Sequence, residues 1–320
     1  MSQLGRGGRT GIAFLAGVLG VALAAPWLAP RPPDLQEDVA GARYLPPLTR
    51  AHALRVDDRH VRIVTSLRAI PMGWEFVRSG RRERVERRNL LDDPSRRFYL
   101  LGTDGLGRDL ASRLLFGARH SFGIGVVSVA LALALGVAAG AAAGLVGGAL
   151  DVALSGIGDV LRSIPRLLIY LVCASLFVPS TLLLVLVLGL TTWTSLARIV
   201  RAQMLSLRAS DLSTAARALG SPPWRTLLKH LLPQIGPVLV VASSLRFADT
   251  VLLESALSLL GLGSPPPAVS LGSLLASGRE ALSQAWWIAA WPGLLITSVV
   301  LALRSTASLL SRLSDPPSLS

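Results

Sequence analysis

Three ionisable side chains lie inside a long apolar stretch between about Leu232 and Leu260. They are Arg246, Asp249 and Glu254, and they stand at positions i, i+3 and i+8 of one predicted helix. Charged groups are costly in an apolar segment of this length, so they are candidates for function. Side chains of these types can relay protons, line the path of a solute or close an ion pair between helices.

The sequence carries none of the common catalytic motifs. It has no Gly-x-x-x-x-Gly-Lys-Ser/Thr phosphate loop, no Gly-x-Ser-x-Gly elbow and no His-Glu-x-x-His motif. Ser243, Ser244 and Ser258 lie in the apolar stretch without a nearby His. The single cysteine, Cys173, excludes an internal disulfide and a multi-cysteine metal site. A membrane-embedded enzyme is therefore the weakest reading, and we expect neither a cofactor nor a metal on this chain.

The elements that position these residues must be apolar helices. Hydrophobic residues make up 51% of the 320 residues, only 16% are charged, and the mean hydropathy is +0.55. A soluble protein of this length carries about a quarter of its residues as charged ones, and disorder requires few apolar residues. The composition therefore predicts an all-α polytopic membrane protein.

The net charge of +13 does not indicate nucleic-acid binding. Residues 31–118 hold 17 arginines beside 12 acidic residues, a net charge of +5, so this segment has mixed charge and no basic face is implied. Net charge alone is a weak signal for a partner. We expect a lipid bilayer as the surroundings of the chain and no nucleic acid.

Six stretches are long and apolar enough to predict transmembrane helices. Pro179 separates the third from the fourth, because proline disfavours helix at the residue before it. Trp286, Trp287 and Trp291 suit a membrane interface at the start of the sixth. The first apolar stretch ends near Ala24-Ala25-Pro26, which is a poor site for signal-peptide cleavage because proline follows the alanines. This favours an uncleaved membrane anchor over a signal peptide. The six predicted spans are 11–30, 121–150, about 152–177, about 181–206, about 232–260 and about 284–303.

The charges that flank these spans predict their orientation. Arg6 and Arg9 precede the first span, which places the N-terminus in the cytoplasm by the positive-inside rule. Six spans then return the C-terminus to the cytoplasm. The basic loop between the fourth and fifth spans is then cytoplasmic, and the long loop after the first span is external. The predicted domains are 1–30 (tail and first span), 31–118 (external lobe), 119–310 (core with five transmembrane helices and a cytoplasmic loop at 207–233) and 311–320 (cytoplasmic tail).

The external segment 31–118 has the pattern of a small α/β or irregular lobe. Residues 60–64, His-Val-Arg-Ile-Val, alternate as a short strand would. Residues 81–88 mix arginine with glutamate, which is typical of a solvated face. The segment either caps the bundle or has a role at its external mouth.

The stretch from Asp211 to Pro233 predicts two short helices on the cytoplasmic side. Gly220 closes the first helix, since glycine tolerates the left-handed conformation past a helix end. Pro222 and Pro223 then suit the first turn of a new helix. Ala215 and Ala216 would present a nearly flat surface to another protein.

This loop resembles the "EAA" loop of binding-protein-dependent ABC transporter permeases. The resemblance rests on Ala-Ala-x-x-x-Gly beginning at Ala215 and on His-Leu-Leu-Pro ending at Pro233, which is similar to the dipeptide/oligopeptide/nickel branch. By this resemblance the loop docks onto an ATPase. The residues implied are Asp211, Thr214, Ala215, Ala216, Gly220, Leu232 and Pro233.

Further motifs in the same order strengthen the resemblance from about Leu100 to Leu303. Residues 101–109, Leu-Gly-Thr-Asp-Gly-Leu-Gly-Arg-Asp, resemble the family segment before the second span, and 254–263 resemble its element before the last external loop. Asp151 and Asp159 fall in two further matching elements. The residues implied in the first segment are Gly102, Thr103, Asp104, Gly107, Arg108 and Asp109.

The sequence departs from the family pattern at one residue and in one segment. Thr214 stands where the loop has its usual acidic residue, and the tail 304–320 lacks the family's Gly-Asp-Gly-Leu-Arg. The resemblance implies a permease that works with a sister permease as a heterodimer, with one or two ATP-binding subunits that bind the ATP, and with an external solute-binding protein. The solute is implied to be a peptide or a similar small molecule.

A proton-coupled carrier that uses Asp249 and Glu254 is the main alternative function. Such carriers are commonly built from inverted repeats, and the two halves of this sequence show no self-similarity. The order of the family motifs favours the ABC permease.

Overall fold

A computed structural model describes residues 6–57, 60–78, 81–208, 225 and 227–314. Within these residues the chain forms a bundle of apolar helices and a lobe of short β-strands. The helices are α1 (Arg6–Leu23), α2 (Ala25–Leu28), α3 (Val39–Ala42), α4 (Leu110–Val146), α5 (Gly148–Ser163), α6 (Arg166–Leu176), α7 (Thr181–Arg208), α8 (Leu232–Leu259), α9 (Leu271–Glu280) and α10 (Trp287–Ser314). The strands are β1 (Thr49–Arg55), β2 (Val61–Val64), β3 (Leu67–Ile70), β4 (Gly73–Arg78), β5 (Arg81–Glu86) and β6 (Ser95–Tyr99).

Four helices in the described part of the chain are long and apolar enough to cross a membrane. They are α4, α7, α8 and residues 287–309 of α10. The first and third predicted spans coincide with shorter apolar helices, Ala13–Leu23 and Arg166–Leu176. The helical polytopic fold is confirmed, while the count of six spans stays a prediction.

The predicted helix 152–177 is wrong, because the chain breaks there into α5 and α6. Ile164 has extended backbone angles (φ −95°, ψ 126°), and α6 restarts at Arg166. Pro165 has no N–H to donate and disfavours helix at the residue before it, which explains the break. The predicted break at Pro179 is confirmed, since α6 ends at Leu176 and α7 begins at Thr181.

Helix α4 is longer than predicted. Its 37 residues extend about 55 Å, well beyond the hydrocarbon thickness of about 30 Å. It begins at Leu110, inside the segment 31–118 that was expected to be wholly external, because the side chain of Asp109 accepts a hydrogen bond from Ser112 N and caps the helix. The first turns of α4 therefore belong to the join between lobe and bundle.

Helix α4 packs closely against α7. Gly136, Gly140 and Gly144 recur every four residues on α4 and leave room for the backbone of α7. A Cβ atom at Gly140 would lie 2.5 Å from the carbonyl oxygen of Ala197 and 2.7 Å from Val200 Cβ. Small residues at this spacing allow membrane helices to approach closely.

The lobe contains two three-stranded antiparallel sheets, in the orders β2-β1-β6 and β3-β4-β5. The strand expected at 60–64 is confirmed as β2. The buried Asp38 carboxylate ties the first sheet to the second, because it accepts hydrogen bonds from Ile63 N at 2.9 Å and from Arg78 Nη2 at 2.7 Å. The three arginines of β5, Arg81, Arg82 and Arg84, are exposed, as the mixed-charge pattern indicated.

Candidate functional site

The segment Gly102–Asp109 forms a buried joint between the lobe and α4. The carboxylate of Asp104 accepts hydrogen bonds from Leu106 N at 2.9 Å and from Arg108 N at 3.0 Å. The same carboxylate pairs with Arg108 Nε at 2.8 Å and with Arg113 Nη1 at 2.9 Å. Its side chain is 4% exposed, so this ion pair is shielded from water.

Thr103 connects this joint to the start of the lobe and to α10. Its hydroxyl accepts a hydrogen bond from Leu45 N at 2.7 Å and donates one to Ala42 O at 2.5 Å. Trp287 Nε1, at the start of α10, donates to the carbonyl of Thr103 at 3.3 Å. The joint therefore holds the lobe, α4 and α10 together.

Two glycines allow the tight path of this segment. Gly102 has φ +85° and Gly107 has φ +72°, in the left-handed region that favours glycine. A Cβ atom at Gly102 would lie 2.5 Å from Leu45 O, and one at Gly107 would lie 3.0 Å from Asp38 O. Any other residue at either position would be strained and would lack space for its side chain.

Asp109 completes the joint as the cap of α4. Its carboxylate accepts from Ser112 N at 2.8 Å and from Ser112 Oγ at 2.7 Å, and Ser112 Oγ accepts from Arg31 N at 3.1 Å. The Arg31 guanidinium lies 4.4 Å from the centre of the Tyr99 ring, and burial raises the pKa of Tyr99. The six predicted residues of this segment thus come together, and their polar groups are largely used within the protein.

Glu254 lies in a buried cluster of hydroxyl groups. Its side chain is fully buried, and its carboxylate accepts from Ser121 Oγ of α4 at 2.9 Å and from Ser258 Oγ at 2.9 Å. Ser121 Oγ also accepts from Leu271 N at 3.0 Å, and Ser270 Oγ donates to Ser258 Oγ at 3.2 Å. The carboxylate therefore joins α4, α8 and the start of α9.

Arg246 and Asp249 form a separate pair elsewhere on α8. Arg246 Nη1 lies 3.2 Å from Asp249 Oδ2, within one helix, and Arg304 Nη2 of α10 lies 4.0 Å from Asp249 Oδ1. The Asp249 side chain is 36% exposed. The structure does not bring Glu254 into this pair, so the three predicted candidates are two distinct groups.

Most of the predicted docking loop lies outside the described residues. This applies to Asp211, Thr214, Ala215, Ala216 and Gly220. The end of the loop is described. Leu232 packs against a buried cluster of α4, α7 and α8 side chains, while Pro233 is exposed in the first turn of α8. The described end of the loop is therefore anchored to the bundle.

Ion pairs between α5 and α7 are a feature that the sequence motifs did not reveal. Arg201 donates to both carboxylate oxygens of Asp151, with Nη2 at 2.6 Å from Oδ2. Asp159 pairs with Arg198 at 3.2 Å and with Arg162 at 2.6 Å. The eight-residue spacing of the two aspartates puts them near one face of α5, but nothing in the sequence identifies α7 as the source of their partners. These pairs lie at the end of α7 that leads into the predicted docking loop.

Across the described residues, no three His, Cys, Asp or Glu side chains gather as a metal site would require. The polar groups described above are instead tied to helix ends and to neighbouring helices.

Comparison with known families agrees with this architecture. Residues 133–317 match the family described as "Binding-protein-dependent transport system inner membrane component". The chain belongs to this family. It is therefore a multi-pass inner-membrane permease of the ABC importer class, as its motifs implied.

Curated relatives of this permease extend the match. A putative peptide transport system permease protein of Brucella suis biovar 1 is 35% identical over 218 residues, which cover 68% of this chain and 73% of the relative. The di/tripeptide transport system permease protein of Pseudomonas aeruginosa is 32% identical over 68% of this chain and 72% of its own length. The dipeptide transport system permease protein of Haemophilus influenzae is 33% identical over 68% of this chain and 74% of its own length.

A solved structure shares the fold of the permease. The chain resembles a structure of the MetNI methionine ABC transporter in an inward-facing conformation, with a TM-score of 0.51 and 19% identity. The likeness covers 63% of this chain and 96% of the other. At this identity the likeness concerns the fold alone.

Proposed function

We propose that this permease subunit moves short peptides across the inner membrane in an ATP-driven importer. The observation that carries the proposal is the similarity to permeases named for peptide transport, at 32–35% identity over about two thirds of the chain. ATP binding and hydrolysis lie on separate subunits, and a solute-binding protein delivers the peptide. A sister permease completes the membrane part as a heterodimer.

The predicted loop at 207–233 is the ATPase-docking element in this proposal. It follows α7 directly in the chain, and its far end is anchored by Leu232 against the buried cluster of α4, α7 and α8. The ion pairs of Arg198 and Arg201 connect the same end of α7 to α5. A movement of the ATPase against this loop would therefore reach α7 and α5 together.

The orientation follows from the flanking charges. Both termini and the docking loop face the cytoplasm, and the lobe of β-strands faces outward, where it can meet the binding protein. The basic residues near the end of α7, including Arg198, Arg201 and Arg208, support a cytoplasmic position for that end.

Reconstitution tests the proposed function. The tagged chain is purified from its own cells with its bound partners, which are identified by mass spectrometry and reconstituted into liposomes with the solute-binding protein. We expect uptake of a radiolabelled dipeptide that requires ATP and this chain, and no ATP hydrolysis by the chain alone. Hydrolysis by the isolated chain, or dipeptide uptake driven by a pH gradient without ATP, would contradict the proposal.

A further inference from the structure

Two adjoining cavities, both open on one side, lie where the lobe meets the outer end of α4 and α7. The inner cavity has a volume of about 400 Å³ and is bordered by Arg119, His120 and Gly123 of α4. The outer cavity, of about 610 Å³, reaches Asp34 and the 265–267 proline turn. The two share Phe116, His120 and Thr181 as lining residues. Both volumes fall in the range of small-molecule sites, roughly 300–1,000 Å³.

Arg119 is a cation that the fold itself does not use. It is exposed, and no carboxylate of the described residues lies within ion-pair distance of it. Arg113, on the same helix, shows the contrast: its side chain is 8% exposed and pairs with Asp104 at 2.9 Å. Arg119 stands just before the uncharged run 121–150, too far from the first turn of α4 to cap the helix.

The wall beside Arg119 is built from hydrogen-bonded polar groups. His120 Nε2 lies 2.9 Å from Ser264 Oγ, and Thr181 Oγ1 donates to the same oxygen at 3.0 Å. Three separate segments therefore hold the polar surface that the two cavities share. Gly123, one turn beyond Arg119, faces open space, since a Cβ atom there would have nothing within 4 Å.

The outer cavity carries the negative charge of Asp34, opposite in sign to that of Arg119. Asp34 is exposed, and no cation of the described residues lies within ion-pair distance of its carboxylate. A free peptide carries an ammonium at one end and a carboxylate at the other. A guanidinium binds a carboxylate through two parallel hydrogen bonds, and a carboxylate binds an ammonium. The two cavities thus complement a zwitterion.

We propose that the two cavities hold the translocating peptide, with Arg119 binding its C-terminal carboxylate and Asp34 its amino group. This inference rests on the proposed function and adds a solute site on the permease itself. Gly123 leaves the space that a peptide side chain or backbone fills. His120 and Thr181 form the polar wall between the two ends.

The test compares two solutes in the complete reconstituted importer: a labelled dipeptide and the same dipeptide with a C-terminal amide. Arg119→Met lowers uptake of the free acid by about tenfold or more, because a charge-assisted hydrogen bond is lost. Uptake of the amide changes little, so the acid-to-amide ratio falls. The binding protein's own preference for acid or amide affects both ratios equally, since the same binding protein serves wild type and variant. A difference between the two ratios therefore reports on the permease.

Two further variants test the other parts of the site. Asp34→Asn lowers the preference for the free dipeptide over its N-acetyl form. Gly123→Leu fills the inner cavity and lowers uptake of acid and amide alike. Arg68→Met, which removes an exposed arginine of the lobe far along the chain from the cavities, is the matched control and keeps the wild-type ratio.

Several results would overturn the inference. An unchanged acid-to-amide ratio in Arg119→Met, with wild-type dipeptide uptake intact, refutes the solute site and leaves the proposed function standing. Loss of the sister permease or of a co-purifying anionic lipid from Arg119→Met would make Arg119 a subunit or headgroup contact instead. If the wild-type importer takes up no peptide at all, the inference fails together with the proposed function.

Discussion

At the scale of single residues, the buried carboxylates differ in what neutralises them. Asp104 has two guanidinium partners and two backbone N–H donors, whereas Glu254 has two serine hydroxyls as partners. A buried ion pair that loses one member leaves an uncompensated charge, which is costly. A buried carboxylate with hydroxyl donors can be replaced by an amide of the same shape.

Asp104→Asn is expected to destabilise the permease by about 3–5 kcal/mol, because Arg108 and Arg113 lose their counter-charge while Arg113 stays buried. The measurement is unfolding in mixed micelles, followed by tryptophan fluorescence. Asp92→Asn is the matched control. Asp92 lies 3.6 Å from Arg55, is 67% exposed, and should change stability by less than about 1 kcal/mol. Equal stability of the two variants would contradict a structural role for the Asp104 pair.

Glu254→Gln is expected to keep peptide uptake within about threefold of wild type, because an amide can accept from one serine and donate to the other. Glu254→Leu removes both acceptors and should cost about 1–3 kcal/mol for each serine O–H left without an acceptor. Uptake and thermal unfolding of the two variants are measured side by side. A stable Glu254→Gln protein without uptake would instead indicate that the carboxylate must ionise, as a proton-coupled carrier requires.

At the scale of elements, the close approach of α4 and α7 depends on glycine. Gly136, Gly140 and Gly144 face Leu196, the 197–200 turn and Met204 of α7, with no space for a side chain. The same α7 is tied to α5 by ion pairs. The three helices should therefore move as one unit when the docking loop is displaced.

Gly140→Leu is expected to force α4 and α7 apart, because even a Cβ atom would lie 2.5 Å from Ala197 O. Overpacking of this kind costs about 1–3 kcal/mol or more. Thermal stability in detergent and the yield of monodisperse protein report the effect. Gly20→Leu in α1 is the control, since a Cβ atom there meets nothing within 4 Å. Matching losses at both positions would show that leucine in any helix of the bundle is enough to destabilise it.

Variants of the docking loop are expected to separate assembly from folding. Ala216→Trp adds bulk where two surfaces are proposed to meet, and Gly220→Asp places a side chain where a left-handed residue is predicted, at a cost of about 1 kcal/mol or more. We expect normal insertion with loss of both ATPase co-purification and uptake. A Gly220→Asp protein that binds its ATPase and transports normally would refute the docking role, and loss of expression would point to packing of the loop on the bundle.

At the scale of the whole molecule, the orientation is the property that decides how the parts are used. In the proposed function the lobe faces the binding protein and the 207–233 loop faces the ATPase. These two segments lie on opposite sides only if the chain crosses the membrane an odd number of times between the lobe and the loop. The apolar helices α4, Arg166–Leu176 and α7 lie in this order between the lobe and the loop, and α4 and α7 are long enough to cross a membrane.

Cysteine labelling checks the orientation in a Cys173→Ser background, which removes the single native cysteine. A cysteine at Ser66, exposed in the lobe, should react with a membrane-impermeant maleimide in intact spheroplasts. A cysteine at Ser221, in the proposed cytoplasmic loop, should react only after the membrane is opened. The reverse pattern would invert the topology proposed for the permease.

Much of the architecture was predictable because membrane helices are encoded locally. Long uncharged runs, flanking charges and proline breaks are properties of neighbouring residues, so α7, α8 and the break at Pro179 were predicted close to their observed positions. The family motifs were equally local, and the comparisons confirm the family they indicated. The break at Pro165 was missed, although the proline that causes it and the flanking Arg162 and Arg166 were visible in the sequence.

What only the tertiary structure decided is which distant groups meet. Glu254 and Ser258 are four residues apart and could be paired from the sequence, but Ser121 reaches the same carboxylate from 133 positions away. Likewise, Asp151 and Arg201 are separated by 50 residues, and Arg119 shares a cavity with Thr181. The sequence by itself determined the apolar helices and the class of protein, since hydrophobic burial and backbone geometry act locally. The packing of α4 against α7, α8 and the lobe determined the partners of the polar groups, because a buried charge takes whichever donor the folded chain brings within hydrogen-bonding distance.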